Sequence, residues 1–401
     1  MTNHSHTSPH VQARAQPRVQ PGMQPRMQPI TQIVFWEPCV SPHKSAFINA
    51  VAEQFGPDVT VQCVAHEGVP GARQILGWGD GSADAPATTT IAPTNEQIDQ
   101  IVSHGGDQCL HVFSGTRWFS TITTALELVR GQGRPFAIMS EPRDRAGVAG
   151  FARFVQSWMT ESWLRRRVTF VLAIGRHGPP WFRSVGYRRE RIFPFAYFLP
   201  PPVQAASHAS RTGATVRVAY VGRLIEQKGV QHLPSAMALL GGDARLSLIG
   251  TGELRDPLMA DARRLGVPAD FLGVLPIEEV QRRMRDFDVL VLPSLTKDDG
   301  WGAVVSEALM AGTAVVASSH AGASVLLDEP SIGRVVAPGD PQAIASAIRD
   351  LDAAGAFSAS ARQAREAWAA ERLTARAGAT YFSQIVRHRV EGAERPKAFY
   401  L

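Results

Sequence analysis

The loop Gly222-Arg223-Leu224, with Lys228 five residues beyond Arg223, combines a flexible backbone with two fixed positive charges. Gly222 allows a sharp turn and lets a ligand approach the main chain. Arginine offers two parallel N–H donors to phosphate oxygens and lysine offers a point charge, so both side chains can bind one dianion. A solvated surface loop can carry the same residues, so this pair alone does not identify a site.

Two acids lie around the start of a short apolar helix in the segment 288–318. Glu307 is predicted on the second turn of this helix, and Asp299 lies in the loop before it. A buried carboxylate is costly without a partner, which makes Glu307 a candidate ligand-binding residue. The backbone N–H groups at Gly302, Ala303 and Val304 begin the helix and suit a phosphate group. Both acids can therefore face a ligand that lies across the helix N-terminus.

Other polar loops follow predicted strands. Gly250 and Gly252 form a short glycine turn that can bring bare backbone close to a nucleotide, although such turns are common without any ligand. In the first half of the chain, His43 and Lys44 follow the first strand, and Glu141 follows a later one. Because ligands of parallel α/β sheets bind at the carboxyl ends of the strands, these residues are candidates for contact with a substrate or with phosphate.

The elements that must position these residues form two series of strands alternating with helices, which predicts parallel sheets with helices on their faces. We expect an α/β fold with two Rossmann-like domains facing across a cleft. The predicted division is a disordered Gln/Pro/Arg-rich tail (1–29), a first domain (30–199), a linker (200–214), a second domain (215–370) and a C-terminal helix returning to the first domain (371–401). The segment 68–93 is assigned to an insertion or long loop, and one helix is expected over 152–166.

Bulk composition narrows the classes of protein. A length of 401 residues with 44% hydrophobic and 19% charged residues suits two soluble domains. The net charge of +5 comes largely from local arginine clusters, which argues against a nucleic-acid-binding surface. Three cysteines without metal-ligand spacing suggest neither disulfides nor a zinc site. The chain offers no apolar run long enough for a membrane span and no signal-peptide core, so a cytoplasmic location is expected.

Taken together, the motifs resemble a known family. The order GRL-x-x-x-KG, IGTGELR, FLG and PS-x-x-x-x-DGWG-x-x-x-SEA-x-x-AG resembles the C-terminal domain of family-4 retaining glycosyltransferases, which have the GT-B fold. The resemblance is strong over residues 216–351. Before that, it is general and rests on strand order and the pattern GYRRERIFPFAYF.

The resemblance implies a role for each matching position. Arg223 and Lys228 match the pair that holds the donor diphosphate, and Glu307 matches the acid that binds the ribose hydroxyls. Asp299 stands where the family commonly has a glutamate in contact with the donor sugar. Leu272 lies in the segment on which the nucleotide base commonly rests. Gly222, Gly250 and Gly252 match glycines in the loops on the nucleotide side, and Gly302, Ala303 and Val304 match the helix start that faces phosphate. Relatives often carry a histidine where this chain has Glu141, which suggests a base or an acceptor-orienting group.

The implied reaction is transfer of a sugar from a UDP- or GDP-sugar to a saccharide or lipid-linked saccharide acceptor, in cell-surface polysaccharide or glycoconjugate synthesis. No cofactor is expected. The adjacent Asp298 and Asp299 lack the D-x-D spacing of a metal-binding loop, so Arg223, Lys228 and the helix terminus are expected to neutralise the leaving diphosphate. A nucleotide-sugar epimerase, a sugar phosphorylase and an inactive nucleotide-sugar-binding subunit remain alternatives. The basic aromatic helix over 151–167 raises the further hypothesis of peripheral contact with the anionic inner face of the plasma membrane.

Overall fold

The structure, a computed structural model, describes residues 28–71, 85–201, 215–297 and 300–401. Its first sheet has seven parallel strands in the order β3-β2-β1-β4-β5-β6-β7. Most of the expected tail and most of the expected linker lie outside the described residues. The strands are β1 (Gln32–Cys39), β2 (Thr60–Glu67), β3 (Thr88–Ile91), β4 (Cys109–Ser114), β5 (Phe136–Ser140), β6 (Phe170–Ile174) and β7 (Ile192–Phe195).

Helices connect these strands, and local capping explains where several of them begin. The Ser41 side chain accepts a hydrogen bond from the backbone N–H of Lys44, and Pro42 fits the first helical turn. Thr94 and Gln97 form a reciprocal capping box at the next helix. The helices are α1 (Pro42–Phe55), α2 (Asn95–Ser103), α3 (Ser120–Gln132), α4 (Gly147–Thr160), α5 (Ser162–Arg167) and α6 (Gly178–Ser184).

The second sheet has six parallel strands in the order β10-β9-β8-β11-β12-β13. The chain order reverses between β8 and β11, and this switch point opens a crevice at the carboxyl ends of the two strands. The elements are β8 (Val216–Val221), α7 (Leu233–Leu240), β9 (Ala244–Ile249), α8 (Arg255–Arg264), β10 (Ala269–Gly273), α9 (Ile277–Met284), β11 (Val289–Leu292), α10 (Ala303–Met310), β12 (Ala314–Ser318), β13 (Gly333–Val336) and α11 (Pro341–Ala353).

The last two helices, α12 (Ala359–Leu373) and α13 (Ala375–Val390), join the two halves. Helix α13 packs along α1, where the ring of Phe382 lies 5.8 Å from that of Phe35 and 6.0 Å from that of Phe47. Buried apolar side chains from both sheets form one continuous cluster that includes Phe382 and Trp301. The prediction of two α/β domains with parallel sheets is confirmed.

Two local predictions are wrong. The segment 68–93 is not loop throughout, because residues 88–91 form the edge strand β3, which pairs in parallel with β2. The single helix expected over 152–166 is two helices, α4 and α5. They separate at Glu161, whose carboxylate accepts hydrogen bonds from Arg117 (3.0 Å) and from the Tyr187 hydroxyl (3.1 Å).

Candidate functional site

The loops after β8 and β9 are joined by backbone contacts that require glycine. The N–H of Gly222 donates to the carbonyl of Ile249 (2.9 Å), and that of Gly250 donates to Gly273 (2.7 Å). Gly250 has φ +131°, and a Cβ there would overlap the carbonyl oxygen of Gly222. The two glycines predicted on the nucleotide side therefore lie against each other at the carboxyl edge of the sheet.

A second pair of contacts extends this junction. Leu224 donates its N–H to the carbonyl of Thr251 (2.9 Å), and Leu254 donates to the carbonyl of Leu224 (3.0 Å). A side chain at Gly252 would overlap the Leu224 backbone. The loop that carries Arg223 and the Gly250–Gly252 turn thus form one unit, as a shared nucleotide site requires.

The basic loop is also attached to the loop that follows β11. Leu295 donates its N–H to the carbonyl of Gln227 (2.9 Å), and a Cβ on Gly229 would overlap the carbonyl of Pro293. Arg223 is exposed, and its carbonyl accepts a hydrogen bond from Tyr220 (2.7 Å), whereas Lys228 is half-buried. Both cations therefore lie at the β8–β11 crevice.

Helix α10 begins at this crevice. Gly302 precedes it with φ +79°, and no side chain caps the first turn, where Ala303 and Val304 are half-buried. The backbone N–H groups of a first turn have no acceptor within the helix, which makes them suited to an anion. Trp301, fully buried, donates its indole N–H to Ser306 (2.9 Å) and fixes the approach to the helix.

Glu307 lies on the second turn of α10 and is half-buried. Protein atoms crowd its carboxyl group, and this desolvation raises the pKa from 4.5 to about 7. A carboxyl group near its pKa at neutral pH can either accept or donate hydrogen bonds to sugar hydroxyls. Asp299 lies outside the described residues, whereas half-buried Leu272 is on the edge strand β10, whose Gly273 contacts Gly250.

The first domain presents Glu141 to the second. Glu141 follows β5, and a Cβ on Gly300 would overlap its carboxylate, so the two residues are in close contact. The hydroxyl of Tyr197 donates to Glu141 Oε1 (2.7 Å). Sequence analysis missed Tyr197, since nothing in the local sequence indicates that the chain after β7 returns to the end of β5.

A second polar group lies at the same edge of the first sheet. Lys44 Nζ donates to Ser114 Oγ (2.8 Å) and lies 3.4 Å from Glu37, while Ser114 donates to Glu37 Oε1 (2.7 Å). The ammonium group is also 5.3 Å from the centre of the Tyr197 ring, which links both groups. Sequence analysis missed Glu37, a buried acid at the end of β1. His43 is half-buried in the same first turn as Lys44.

Two features are absent from the described residues. These residues contain no cluster of three or more His, Cys, Asp or Glu side chains suited to a metal ion, a statement that does not extend to Asp298 and Asp299. No helix among them has the length and apolar character needed to cross a membrane.

Residues 215–353 match the family model described as Glycosyl transferases group 1. The amylovoran biosynthesis glycosyltransferase AmsK of Erwinia amylovora is 33% identical over 146 residues, covering 34% of this chain and 36% of AmsK. A GDP-mannose-dependent alpha-(1-6)-phosphatidylinositol monomannoside mannosyltransferase of Mycolicibacterium smegmatis is 29% identical over 209 residues, covering 49% and 55%. The chain thus spans about a third of the length of the first relative and about half of the second.

Similarity to solved structures extends over nearly the whole chain. The crystal structure of HepE of Anabaena in complex with UDP superposes with a TM-score of 0.67 at 17% identity, covering 88% of this chain and 99% of HepE. At this level of identity the likeness concerns the fold alone. It confirms the predicted GT-B architecture of two Rossmann-like domains.

Proposed function

We propose, from the match of residues 215–353 to the group 1 glycosyltransferase model, that the chain is a retaining glycosyltransferase that uses a nucleotide-diphosphate sugar. The observation that carries the proposal is the meeting of three loops at the β8–β11 crevice: the basic loop with Arg223 and Lys228, the Gly250–Gly252 turn and the uncapped start of α10. Together they offer two cations and free N–H groups to a diphosphate.

In this proposal the nucleotide lies along the second sheet. Its base rests near Leu272, its ribose hydroxyls contact Glu307, and its diphosphate lies between Lys228 and the N–H groups of Ala303 and Val304. The raised pKa of Glu307 supports a hydrogen-bonding role there, since a desolvated carboxyl group gains from hydroxyl partners. UDP and GDP are the two candidate nucleotides, because HepE binds UDP and the mycobacterial relative depends on GDP-mannose.

The proposed chemistry needs no resident metal. As the bond between the sugar C1 and the diphosphate oxygen breaks, negative charge grows on the phosphate while the sugar becomes cation-like. Arg223, Lys228 and the helix N-terminus stabilise that charge, and preorganised donors of this kind contribute about 3 kcal/mol each. The acceptor hydroxyl attacks from the same face, and its proton passes to the leaving phosphate oxygen. Asp299 is assigned to the donor sugar.

Glu141 is proposed to orient the acceptor hydroxyl for this attack. Its contact with Gly300 brings a first-domain carboxylate next to the loop that leads into α10, and the hydrogen bond from Tyr197 fixes its direction. His43, in the first turn of α1, is a second candidate for acceptor contact.

The acceptor is proposed to be a saccharide or lipid-linked saccharide in polysaccharide or glycoconjugate synthesis, the setting named for AmsK. Cys39, Cys63 and Cys109 form no disulfide, which supports the proposed cytoplasmic location. Peripheral contact with an anionic membrane is proposed through α4, because this helix exposes an apolar stripe next to basic residues. The apolar stripe consists of Val148, Phe151 (65% exposed), Trp158 (57% exposed) and Met159. Flotation with phosphatidylglycerol vesicles should fall to the level seen with phosphatidylcholine in a Phe151→Ser, Trp158→Ser variant; equal flotation of both proteins contradicts this contact.

Release of nucleoside diphosphate from a panel of UDP- and GDP-sugars tests the function. We expect one donor to be turned over only with an acceptor, and Lys228→Ala to lower kcat by about a hundredfold. Glu307→Ala should mainly raise the KM for the donor. Arg264→Ala, an exposed cation at the far end of α8, is the matched control.

Other outcomes separate the alternatives. Interconversion of the donor sugar without an acceptor would identify an epimerase, and donor binding without any turnover would identify a binding subunit. Unchanged donor binding and turnover in both site variants would show that the assigned residues are wrong.

A further inference from the structure

A cavity of about 490 Å³ lies between the two domains. Loops after β5 and β6 of the first sheet and after β11 and β12 of the second form its wall, which includes Arg143, Arg145, His177, Trp181, Lys297 and His320. Its volume suits a ligand of one or two sugar rings. The described lining does not include Arg223, Lys228 or Glu307, so this cavity differs from the proposed nucleotide site.

The wall of the cavity is strongly cationic. Arg143, Arg145 and Lys297 contribute three permanent positive charges, and Asp144 is the single carboxylate among the described lining residues. Asp144 is itself engaged, since it accepts the N–H of Ala146 (2.9 Å) and lies 3.9 Å from Arg153. Asp298 and Asp299 follow Lys297 but lie outside the described residues.

Arg143 is held in place by the neighbouring helix. Its guanidinium donates to Ser157 Oγ (2.8 Å) and to Gln156 Oε1 (3.2 Å) on α4. Partial burial lowers its pKa and the nearby Arg117 and Arg153 lower it further, whereas Glu161, which already pairs with Arg117, raises it. Arg143 also lines a smaller cavity of about 180 Å³ that contains Glu141. An anion bound by Arg143 would therefore lie beside the proposed acceptor-orienting carboxylate.

Two imidazoles complete the wall. Nε2 of His177 lies 2.9 Å from the carbonyl oxygen of Ser319, and Nδ1 of His320 lies 2.7 Å from that of Leu295. Because a carbonyl can only accept, each of these nitrogens carries the proton. In the neutral tautomers, Nδ1 of His177 and Nε2 of His320 are acceptors suited to sugar hydroxyls. Burial lowers the pKa of His177 and favours its neutral form.

We propose that this cavity binds the phosphate-bearing part of the acceptor, with Arg145 and Lys297 contacting the phosphate and the two histidines contacting the attached sugar. This assignment rests on the proposed function, because an acceptor exists only if the protein transfers a sugar. It narrows the substrate class to acceptors that carry a phosphate or diphosphate, either as a free sugar phosphate or on a lipid. The position fits, since Pro142 and Arg143 directly follow Glu141 and Lys297 precedes Gly300 by three residues.

Calorimetric titration of the full chain tests the site without requiring turnover. Three probes share one hexose: the hexose 1-phosphate, the neutral methyl hexoside, and the hexose linked by diphosphate to a short polyprenyl chain. We expect both phosphorylated probes to bind at least tenfold more tightly than the methyl hexoside. Equal affinity of the two phosphorylated probes would show that the site recognises the sugar phosphate without the lipid. Tighter binding of the polyprenyl probe would indicate a lipid-linked acceptor.

Variants identify where the probes bind. The double change Arg145→Gln, Lys297→Gln removes two exposed charges and should weaken both phosphorylated probes by tenfold or more, which the matched control Arg264→Gln on α8 should not do. Lys228→Ala should leave their affinity unchanged. If Lys228→Ala weakens the probes and the double variant does not, the phosphate binds at the nucleotide site and the inference is overturned.

Transfer assays separate this inference from the proposed function. With the function correct, the double variant should raise the KM for a phosphorylated acceptor by tenfold or more while the thermal shift produced by the donor is retained. Probe binding through Arg145 and Lys297 in a protein that transfers no sugar would leave the site standing and remove the function. Transfer to neutral and phosphorylated acceptors with equal KM, unaffected by the double variant, would overturn the inference alone.

Discussion

Glu307 is an acid on a helix whose neighbouring residues are mostly buried and apolar. Its carboxyl group is desolvated enough to raise the pKa from 4.5 to about 7, so the folded protein retains a proton that the unfolded chain releases near pH 4.5. The stability contributed by this proton is fully present below pH 4.5 and is lost as the pH rises through 7. The folded apo protein therefore bears a cost at neutral pH that a ligand could relieve.

Glu307→Gln removes the ionisable group while keeping the size of the side chain. The variant should have a higher free energy of unfolding than the wild type. This difference should be smallest at pH 4.5, grow as the pH rises through 7 and level off above it at about 1–3 kcal/mol. Urea denaturation at several pH values measures this difference, with the exposed Glu278→Gln as matched control. A difference that stays constant between pH 5 and 9 would contradict the assigned burial.

The sequence identified some of the candidate site residues and gave no indication of others. Arg223 and Lys228 lie in the loop after β8 and Glu307 lies on the helix after β11, so strand order predicts all three near the carboxyl edge of the second sheet, and the family resemblance predicts their roles. Glu37 and Tyr197 could not be predicted, because each meets its partners only through the folded sheet. Ser114 is 77 residues from Glu37, and Glu141 is 56 residues from Tyr197.

At the scale of elements, glycines allow the loops of the second sheet to meet. Gly250 and Gly252 lie where any side chain would overlap the backbone of the loop that carries Arg223. The sequence indicates such a turn, but the partner of each glycine depends on the register of β8 with β9, which only the structure gives.

Gly250→Ala should disrupt this junction. The positive φ and the overlap with the Gly222 carbonyl predict a loss of about 2 kcal/mol or more in the free energy of unfolding, together with weaker nucleotide binding. Gly242→Ala is the matched control, because a Cβ there meets nothing within 4 Å. Thermal unfolding with and without UDP or GDP measures both effects, and equal behaviour of the two variants would refute the junction.

Helix α12 shows why some elements escaped prediction. Its stripe toward the core includes Arg362 and Arg365, which are almost fully buried and donate to backbone carbonyls of Phe287 (2.8 Å) and Gly312 (2.6 Å). Arginines at these positions conceal the apolar periodicity that identifies an amphipathic helix. Strand β3, with the sequence TTTI and mostly exposed side chains, likewise lacks the apolar alternation of a half-buried strand.

At the scale of the whole molecule, the domains meet at a glycine contact beside an arginine clamp. A Cβ on Gly175 of the first domain would come within 2.9 Å of Gly322 Cα in the second. Arg176 donates its backbone N–H to the Gly322 carbonyl (2.9 Å), and its guanidinium contacts Ser324 Oγ (2.8 Å) and Asp328. The carbonyl of Gly300, the residue that Glu141 contacts, lies beside both Gly175 and Gly322.

Arg176→Ala should loosen the domain contact. We expect a loss of about 1–3 kcal/mol and faster hydrogen exchange over residues 322–328, because the guanidinium bridges three acceptors. Arg188→Ala, at an exposed ion pair within the first domain, is the control. Unchanged exchange over 322–328 would show that the clamp does not hold the domains together.

A crystal structure of the chain soaked with UDP or GDP tests the central claim most directly. The account predicts the diphosphate within about 3 Å of the side chains of Arg223 and Lys228 and of the first N–H groups of α10, with the ribose at Glu307. A nucleotide bound elsewhere, without contact to Lys228 or Glu307, would contradict the account.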